Sequence, residues 1–336
     1  MIKYHASLFL FIANTIFFLN TTCADTLSVA FDNDVFANDD AGYTSGTRIA
    51  WLGSDLNNTN LNKSDNIYDH FIENTVENLP FFSLNKQKKH NAGISIYQMI
   101  FTPEDISKSE ADYNDIPYSS SLLFSFFFFE WERENYHEYS LDLGVVGRNS
   151  GAEWVQKTFH KVAGKMPNGW DNQLDNELMF GMSYGYGIKS WTKTYDDKFK
   201  SDWVNAFRCQ IGNFYTGVSG SSIWRFGKNY SENFNLNFPG TMGNSSLLDV
   251  PNRNKSLGYS FSIGLLAEVI AYFYIIDSAK EYNIDRNKFS ASVIGSGSLY
   301  FDNMEIALSI RRRTALIRQA SSSSETFGTI VVLWHF

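Results

Sequence analysis

The chain has 336 residues, with 28 Lys plus Arg against 36 Asp plus Glu and a formal net charge of −8, a balance that argues against nucleic acid as a partner. Aromatics make up 16% of the chain, yet beyond the amino terminus no window holds the ~20 consecutive apolar residues of a transmembrane helix. Such a chain is either soluble and aromatic-rich, or it crosses a membrane as strands that show apolar residues on one side only.

The first element is Lys3 followed by the apolar run "ASLFLFIANTIFFL", Ala6 to Leu19, and the small residues "TTCA" before Asp25, the layout of a secretory signal. Cleavage after Ala24 divides the chain into a signal peptide, 1–24, and a mature protein, 25–336. Cys23 has no Leu three residues before it, unlike a lipoprotein signal. Loss of the signal leaves Cys209 as the one cysteine of an exported protein, which then has no intramolecular disulfide.

Strand-like segments bounded by Gly, Asn, Asp, Ser or Pro follow in chain order: Thr26 to Asp32, Thr44 to Ser54, Ala92 to Ile100, Tyr118 to Glu132, Tyr136 to Gly147 and Glu177 to Trp191. The second half continues with Lys200 to Phe214, Val218 to Phe226, Tyr259 to Ile276, Phe289 to Tyr300, Asn303 to Arg318 and Thr326 to Phe336. This is an even number, about twelve, and many are long enough to cross a membrane at a tilt. In "WVNAFRCQIG", Trp203, Phe207 and Ile211 alternate with Val204, Arg208 and Gln210, so one face can meet lipid while the other holds Arg208 and Gln210 inside. The closing "TIVVLWHF" puts Ile330, Val332, Trp334 and Phe336 on one face, and its terminal aromatic resembles the assembly signal of bacterial outer-membrane barrels. The expected fold is an all-β transmembrane antiparallel barrel.

One segment breaks the strand period. In "GAEWVQKTFHKVAG", Gly151 to Gly164, Val155, Phe159 and Val162 fall at i, i+4 and i+7, the apolar stripe of a short helix. His160 borders that stripe one turn after Gln156, where an imidazole can be half desolvated. From local sequence alone it reads as either a packing residue or a base.

Parity assigns sides. With a periplasmic amino terminus, the connections Asn33 to Tyr43, Phe101 to Pro117 and Arg148 to Asp175 all lie outside the cell. Asp55 to Asn91 and Gly227 to Gly258 are then periplasmic and long, which is unusual. Either "IYDHFIENTVENL", Ile67 to Leu79, is a surface helix, or one of these segments hides a further pair of strands.

The first outer connection, "FDNDVFANDDAGYTSGTRIAW", Phe31 to Trp51, is rich in oxygen donors that suit a hard cation such as calcium. It is not an EF-hand loop, since Ala37 and Tyr43 stand where Gly and Glu are needed; a solvated turn is the plain alternative. Its "ND" and "YTSG" resemble the opening motif of the outer-membrane lipid A 3′-O-deacylase family. The likeness continues in "GISIYQMIFTPEDISKSEADYNDIPYSS", Gly93 to Ser120, and in "LGVVGRNSGAEWVQKTFHKVAGKMPNGWDNQLDNE", Leu143 to Glu177. It covers roughly the first half of the mature chain in the right order.

The resemblance implies a monomeric barrel with a short helix in an extracellular loop. It implies calcium-dependent hydrolysis of the ester holding the 3′ acyloxyacyl group of lipid A, the lipopolysaccharide anchor in outer-membrane lipid. By position, His160 is the general base, with Asn33 and Asp34 shaping the polar and metal site. Thr44 lies nearby, and Lys108 meets a phosphate or the developing charge. Histidine removes a proton from water and the metal stabilises the oxyanion. One departure concerns the metal: Met166 stands where the family places an acidic ligand about six positions beyond the histidine, and a thioether does not replace a carboxylate for calcium. Either Asp171, Asp32 or Asp34 compensates, or calcium binding is weaker, or the enzyme works differently; Asp171 equally suits bracing of the helix. The competing readings are a non-catalytic barrel, a pore or surface-binding protein, and an outer-membrane phospholipase.

Overall fold

The computed structural model describes residues 26–34, 42–53, 55–56, 87–163, 166–195, 199–230, 234 and 257–335. The signal segment, the helix expected over 67–79 and the terminal Phe336 lie outside them. The strands are β1 (Thr26–Asn33), β2 (Gly42–Leu52), β3 (Lys89–Thr102), β4 (Ser119–Trp131), β5 (Asn135–Val146) and β6 (Glu177–Thr194). They continue as β7 (Phe199–Gly212), β8 (Tyr215–Lys228), β9 (Gly258–Phe273), β10 (Phe289–Tyr300), β11 (Met304–Thr314) and β12 (Ser324–His335). Among the described residues two α-helices, α1 (Ala152–Ala163) and α2 (Tyr274–Asp277), sit in connections.

Each strand pairs antiparallel with its sequence neighbours, and β1 closes on β12, so the sheet is a twelve-stranded barrel with no free edge. β2 pairs directly with β3 and β8 with β9; the long connections between them therefore add no strand to the wall. All the connections with expected chemistry lie at one end, here the upper end.

Period-two alternation decides the two faces. On β9, Phe261, Ile263, Leu265 and Val269 are exposed while Ser260, Leu266 and Glu268 are buried. Exposed Leu178, Phe180 and Met182 on β6 and Phe289 and Val293 on β10 extend the same apolar band around the outside. A water-soluble surface rarely shows so much contiguous apolar area, whereas hydrocarbon covers it at no cost. Trp191, Trp203, Trp224 and Trp334, all exposed, ring the lower rim, where an indole has one side in lipid and its N–H in reach of water.

The inward face carries the polar side chains, and they are paired. Arg225 meets Asp202 at 2.6 Å, Arg311 meets Glu268 at 2.7 Å and Arg313 meets Glu325 at 2.8 Å. Arg208, expected inside, donates to Glu138 at 2.9 Å and to Ser183 at 2.8 Å. Buried charges are tolerable only with such partners. Apolar side chains close both ends of the lumen. At the upper end Tyr43, Phe101, Phe214, Phe273 and Phe327 form one buried cluster with α2 residues Ile275 and Ile276. At the lower end Phe127, Phe129 and Tyr136 pack with Phe234, which enters from the β8–β9 connection with its ring centred 5.0 Å from that of Tyr136 and tilted by 59°.

Candidate active site on the outer wall

Local sequence first fixes how the β5–β6 connection leaves the barrel. Gly147 adopts φ 89°, and a Cβ there would lie 2.7 Å from the Asp175 carbonyl oxygen; only glycine lets the two ends of this long loop close so tightly. A 3-10 turn, Arg148–Ser150, follows and leads into α1. Gln98 donates to the Ser150 carbonyl at 2.7 Å, and the Ser120 and Ser150 hydroxyls meet at 2.6 Å. Gln98 and Ser120 belong to the outward rows of β3 and β4, the rows of exposed Ile96 and Phe124, so α1 is tied to the outside of the wall and packs against β3.

The buried stripe of α1 differs from the apolar stripe expected. Ala152 and Gln156 are buried and His160 half-buried, at i, i+4 and i+8, whereas Trp154, Val155 and Phe159 are exposed. Outside a barrel the apolar face turns toward hydrocarbon and the polar stripe toward the protein wall, the reverse of a helix on a soluble core. Ala152 joins Ile100, Ile106, Tyr118 and Trp170 in a satellite cluster. Trp170, 1% exposed, donates its indole N–H to Gln156 Oε1 at 2.8 Å, and its ring lies 5.1 Å from that of Tyr118. Burial pushes the Tyr118 phenol up to about 12, which keeps it protonated and donating to the Ile106 carbonyl at 2.9 Å. His160 sits one turn beyond Gln156, with the Phe159 ring 5.9 Å away, edge-on.

The β1–β2 end supplies the second group. Asn33 continues the outward row of Val29 and pairs across with Ser45 on β2, and both Asn33 and Asp34 are buried. Thr44 lies at a bulge beside them and shares a 2.7 Å hydrogen bond with Thr102 of β3. Asn33, Asp34 and Thr44 are thus brought together by strand register. Asp32 points the other way, into the lumen: Thr329 donates to its Oδ1 at 2.7 Å, and Tyr43 and Tyr97 donate to its Oδ2 at 2.7 and 3.0 Å. This clamp joins β1 to β2, β3 and β12 directly behind Asn33.

Lys108 lies in the β3–β4 loop, half-exposed, and pairs with Asp112 at 2.9 Å. That hydrogen bond raises the ammonium pKa of Lys108 and lowers the carboxyl pKa of Asp112. The segment after α1 is stitched to the same loop: Asn168 donates to the Ser107 carbonyl at 3.1 Å and Asn172 to the Ser109 carbonyl at 2.7 Å. Asp171, on the 3-10 turn Trp170–Asn172, has a side chain 92% exposed and 3.9 Å from Arg148. Met166 is also exposed.

The amide oxygen of Asn33 and the carboxyl of Asp34 match calcium in donor type. Asp32 and Asp171 do not join Asp34 in one cluster: among the described residues no group of three or more His, Cys, Asp or Glu side chains gathers to hold a metal. The inward turn of Asp32 is set by the two-residue period, and the exposure of Asp171 by the buried Trp170 beside it. Among the described residues, Asn33 and Asp34 are thus the buried outer-wall oxygen donors that would hold such an ion. Sequence reading overlooked Trp170 and the Tyr43–Asp32–Tyr97 clamp. A tryptophan one residue before Asp171 was the available signal for the first; the second needed strand register.

The chain matches the family described as outer membrane protein LpxR over residues 4–336. No curated protein sequence matches it. Among solved structures it resembles LpxR from Salmonella typhimurium with a TM-score of 0.73 at 16% identity, over 93% of this chain and 100% of that one. An outer membrane channel from Pseudomonas putida F1 aligns with a TM-score of 0.40 at 8% identity, over 94% of this chain and 96% of that one. The beta domain of the Bordetella autotransporter BrkA gives 0.41 at 8% identity, over 93% and 98%. With a match over nearly its whole length, a closed barrel and an outward apolar band, the chain belongs to the outer membrane protein LpxR family.

Proposed function

We propose that the protein is an ester hydrolase that removes the 3′-linked acyloxyacyl group of lipid A, with His160 as general base. The observation that carries this reading is the placement of His160 on the wall-facing stripe of α1, outside the barrel and near its upper end. An outer-leaflet lipid can reach that position laterally, without entering the lumen. The upper end is extracellular in this reading, and the signal peptide 1–24 is removed on export. In this reading the enzyme acts as a monomer, in keeping with a closed ladder that offers no strand edge to a second copy.

His160 accepts a proton from water as the water oxygen attacks the ester carbonyl. The tetrahedral intermediate expels the sugar oxygen, which takes that proton back from the imidazolium; the products are the free acyloxyacyl acid and a sugar hydroxyl. Asn33 and Thr44 offer hydrogen bonds on the outer wall, and Lys108 places a positive charge for a lipid A phosphate. Calcium, if held by Asn33 and Asp34 with further oxygens, supplies positive charge where the carbonyl oxygen becomes negative.

The test is a mass spectrum of lipid A from host cells expressing the wild type or His160→Ala, with and without a calcium chelator. Loss of the 3′ acyloxyacyl mass with wild type, abolished in His160→Ala, is expected. Unaltered lipid A with well-inserted wild-type protein refutes the reading, and release of fatty acid from phospholipid alone reassigns the substrate.

A further inference from the structure

On β9 to β12, outside the residues used above, the upper end carries a second concavity with a charge opposite to that of the whole protein. It has a volume of about 480 Å³ and lies between the β9–β10 and β11–β12 connections. Four cations line it, Lys280, Arg286, Lys288 and Arg318, against two carboxyl side chains, Asp277 and Asp285.

The two acids are already engaged. Asp277 holds Arg286 at 2.8 Å, and Arg286 also donates to the carbonyls of Ile270 and Ala271, which fixes it as a strut of the cavity floor. The Asp285 carboxyl accepts from Gln319 at 3.4 Å, while its carbonyl accepts from the Arg318 backbone N–H at 2.9 Å. Lys280, Lys288 and Arg318 are exposed and make no ion pair among the described residues. In a chain of net charge −8, three cations against Asp285, whose carboxyl no cation pairs among the described residues, leave the concavity net positive over a fixed floor, a setting that favours an anionic ligand.

Position selects the kind of anion. Lys288 immediately precedes Phe289, an exposed side chain of the outward apolar band on β10. Lys288 therefore stands just above the edge of that band, at the height of lipid headgroups, in the row of Ser290 and opposite Ile270 rather than in the lipid-facing row, and Lys280 and Arg318 line the same concavity. A guanidinium and two ammoniums suit phosphate oxygens, the guanidinium by two parallel hydrogen bonds. The cavity also abuts the β3–β4 loop: the Asn283 backbone N–H donates to the Tyr113 carbonyl at 2.7 Å, and the Tyr113 and Tyr282 rings lie 5.2 Å apart.

We propose that Lys280, Lys288 and Arg318 form a binding site for the phosphate groups of a glycolipid headgroup in the outer leaflet, separate from the His160 site. It holds a lipid beside the barrel whether or not that lipid is hydrolysed.

The experiment measures binding of lipid A dispersed in a non-ionic detergent to the full-length protein by calorimetry, in a His160→Ala background so that the ligand stays intact. Inorganic phosphate and a phosphate-free glycolipid are the comparison ligands. The parent should bind lipid A in two events, one at the His160 site and one here; Lys288→Gln combined with Arg318→Gln should weaken the second about tenfold or more and flatten its dependence on salt, and Lys280→Gln should weaken it less. Lys193→Gln, at the lower end of β6, should change nothing. All these side chains are exposed, so heat-modified gel mobility should confirm unchanged folding. A double variant that shows the same two binding events with the same affinities as the parent, or a parent that shows only one, overturns the proposal. So does binding of inorganic phosphate as tight as that of lipid A, which would mark a site for a free anion. Loss of the second binding event in the double variant with full hydrolysis in the otherwise wild-type enzyme supports it, and failure of hydrolysis in the wild type leaves the binding result unaffected.

Discussion

Trp170→Ala should release α1 from the wall while leaving the barrel closed. Trp170 is 1% exposed and sits among Ile100, Ile106, Tyr118 and Ala152, and truncating a buried aromatic of this kind costs about 3–5 kcal/mol. None of these contacts lies within the strand ladder, so the loss falls on docking of the helix and its following turn. An isolated helix of 12 residues is marginal in water, so once undocked α1 frays. Trp170→Phe separates the terms: it keeps most of the packing but strands Gln156 Oε1, which accepts the indole N–H at 2.8 Å. That costs roughly 1–3 kcal/mol, or about five- to 150-fold in the docked population. Hydrogen exchange of peptides spanning α1, compared with peptides from β11, reads both effects. Exchange in α1 should accelerate steeply in Trp170→Ala and moderately in Trp170→Phe, with β11 unchanged and lipid A hydrolysis falling in the same order. Unchanged protection of α1, or equal loss throughout the barrel, refutes the reasoning.

Gly46→Ala should disturb the clamp behind Asn33, because its Cβ would lie 2.0 Å from the Tyr43 hydroxyl and 3.0 Å from that of Tyr97. Loss of one hydroxyl bond to Asp32 costs roughly 1.5–3 kcal/mol; thermal unfolding of Gly46→Ala and Tyr43→Phe should show comparable drops. Asp202→Ala leaves Arg225 buried and unpaired and should destabilise by about 3–5 kcal/mol, while Asp202→Leu with Arg225→Leu should recover most of that in urea titrations followed by gel mobility. The Lys108–Asp112 pair contributes above the ordinary Asp value of 3.8 and is lost as pH falls through the lowered folded value. Its other limit lies above 10.5, as pH rises through the raised Lys108 value. Intrinsic-rate-corrected exchange protection of the 103–118 loop should therefore be flat from about pH 5 to 9 and fall below about pH 4; a midpoint near neutrality would assign the loop to another group.

Much of the barrel was legible because a strand records its two environments at a fixed period. Trp203, Phe207 and Ile211 alternating with Val204, Arg208 and Gln210 already separate lipid from lumen, and antiparallel neighbours in chain order close the rest. The positions of Asn33, Asp34, Thr44, Lys108 and His160 at one end followed from strand parity alone. Two decisions were not local. Whether Asp32 or Asn33 faces outward depends on the register of β1 against β2 and β12, since a one-residue slip exchanges the faces. Which stripe of α1 meets the wall depends on what lies on its other side: the same amphipathic pattern turns its apolar face inward on a soluble core and outward in a bilayer. Because α1 rests against the outside of the barrel, Val155 and Phe159 are left for hydrocarbon and Gln156 and His160 face the protein, an orientation set by the surrounding solvent and the packing of Trp170.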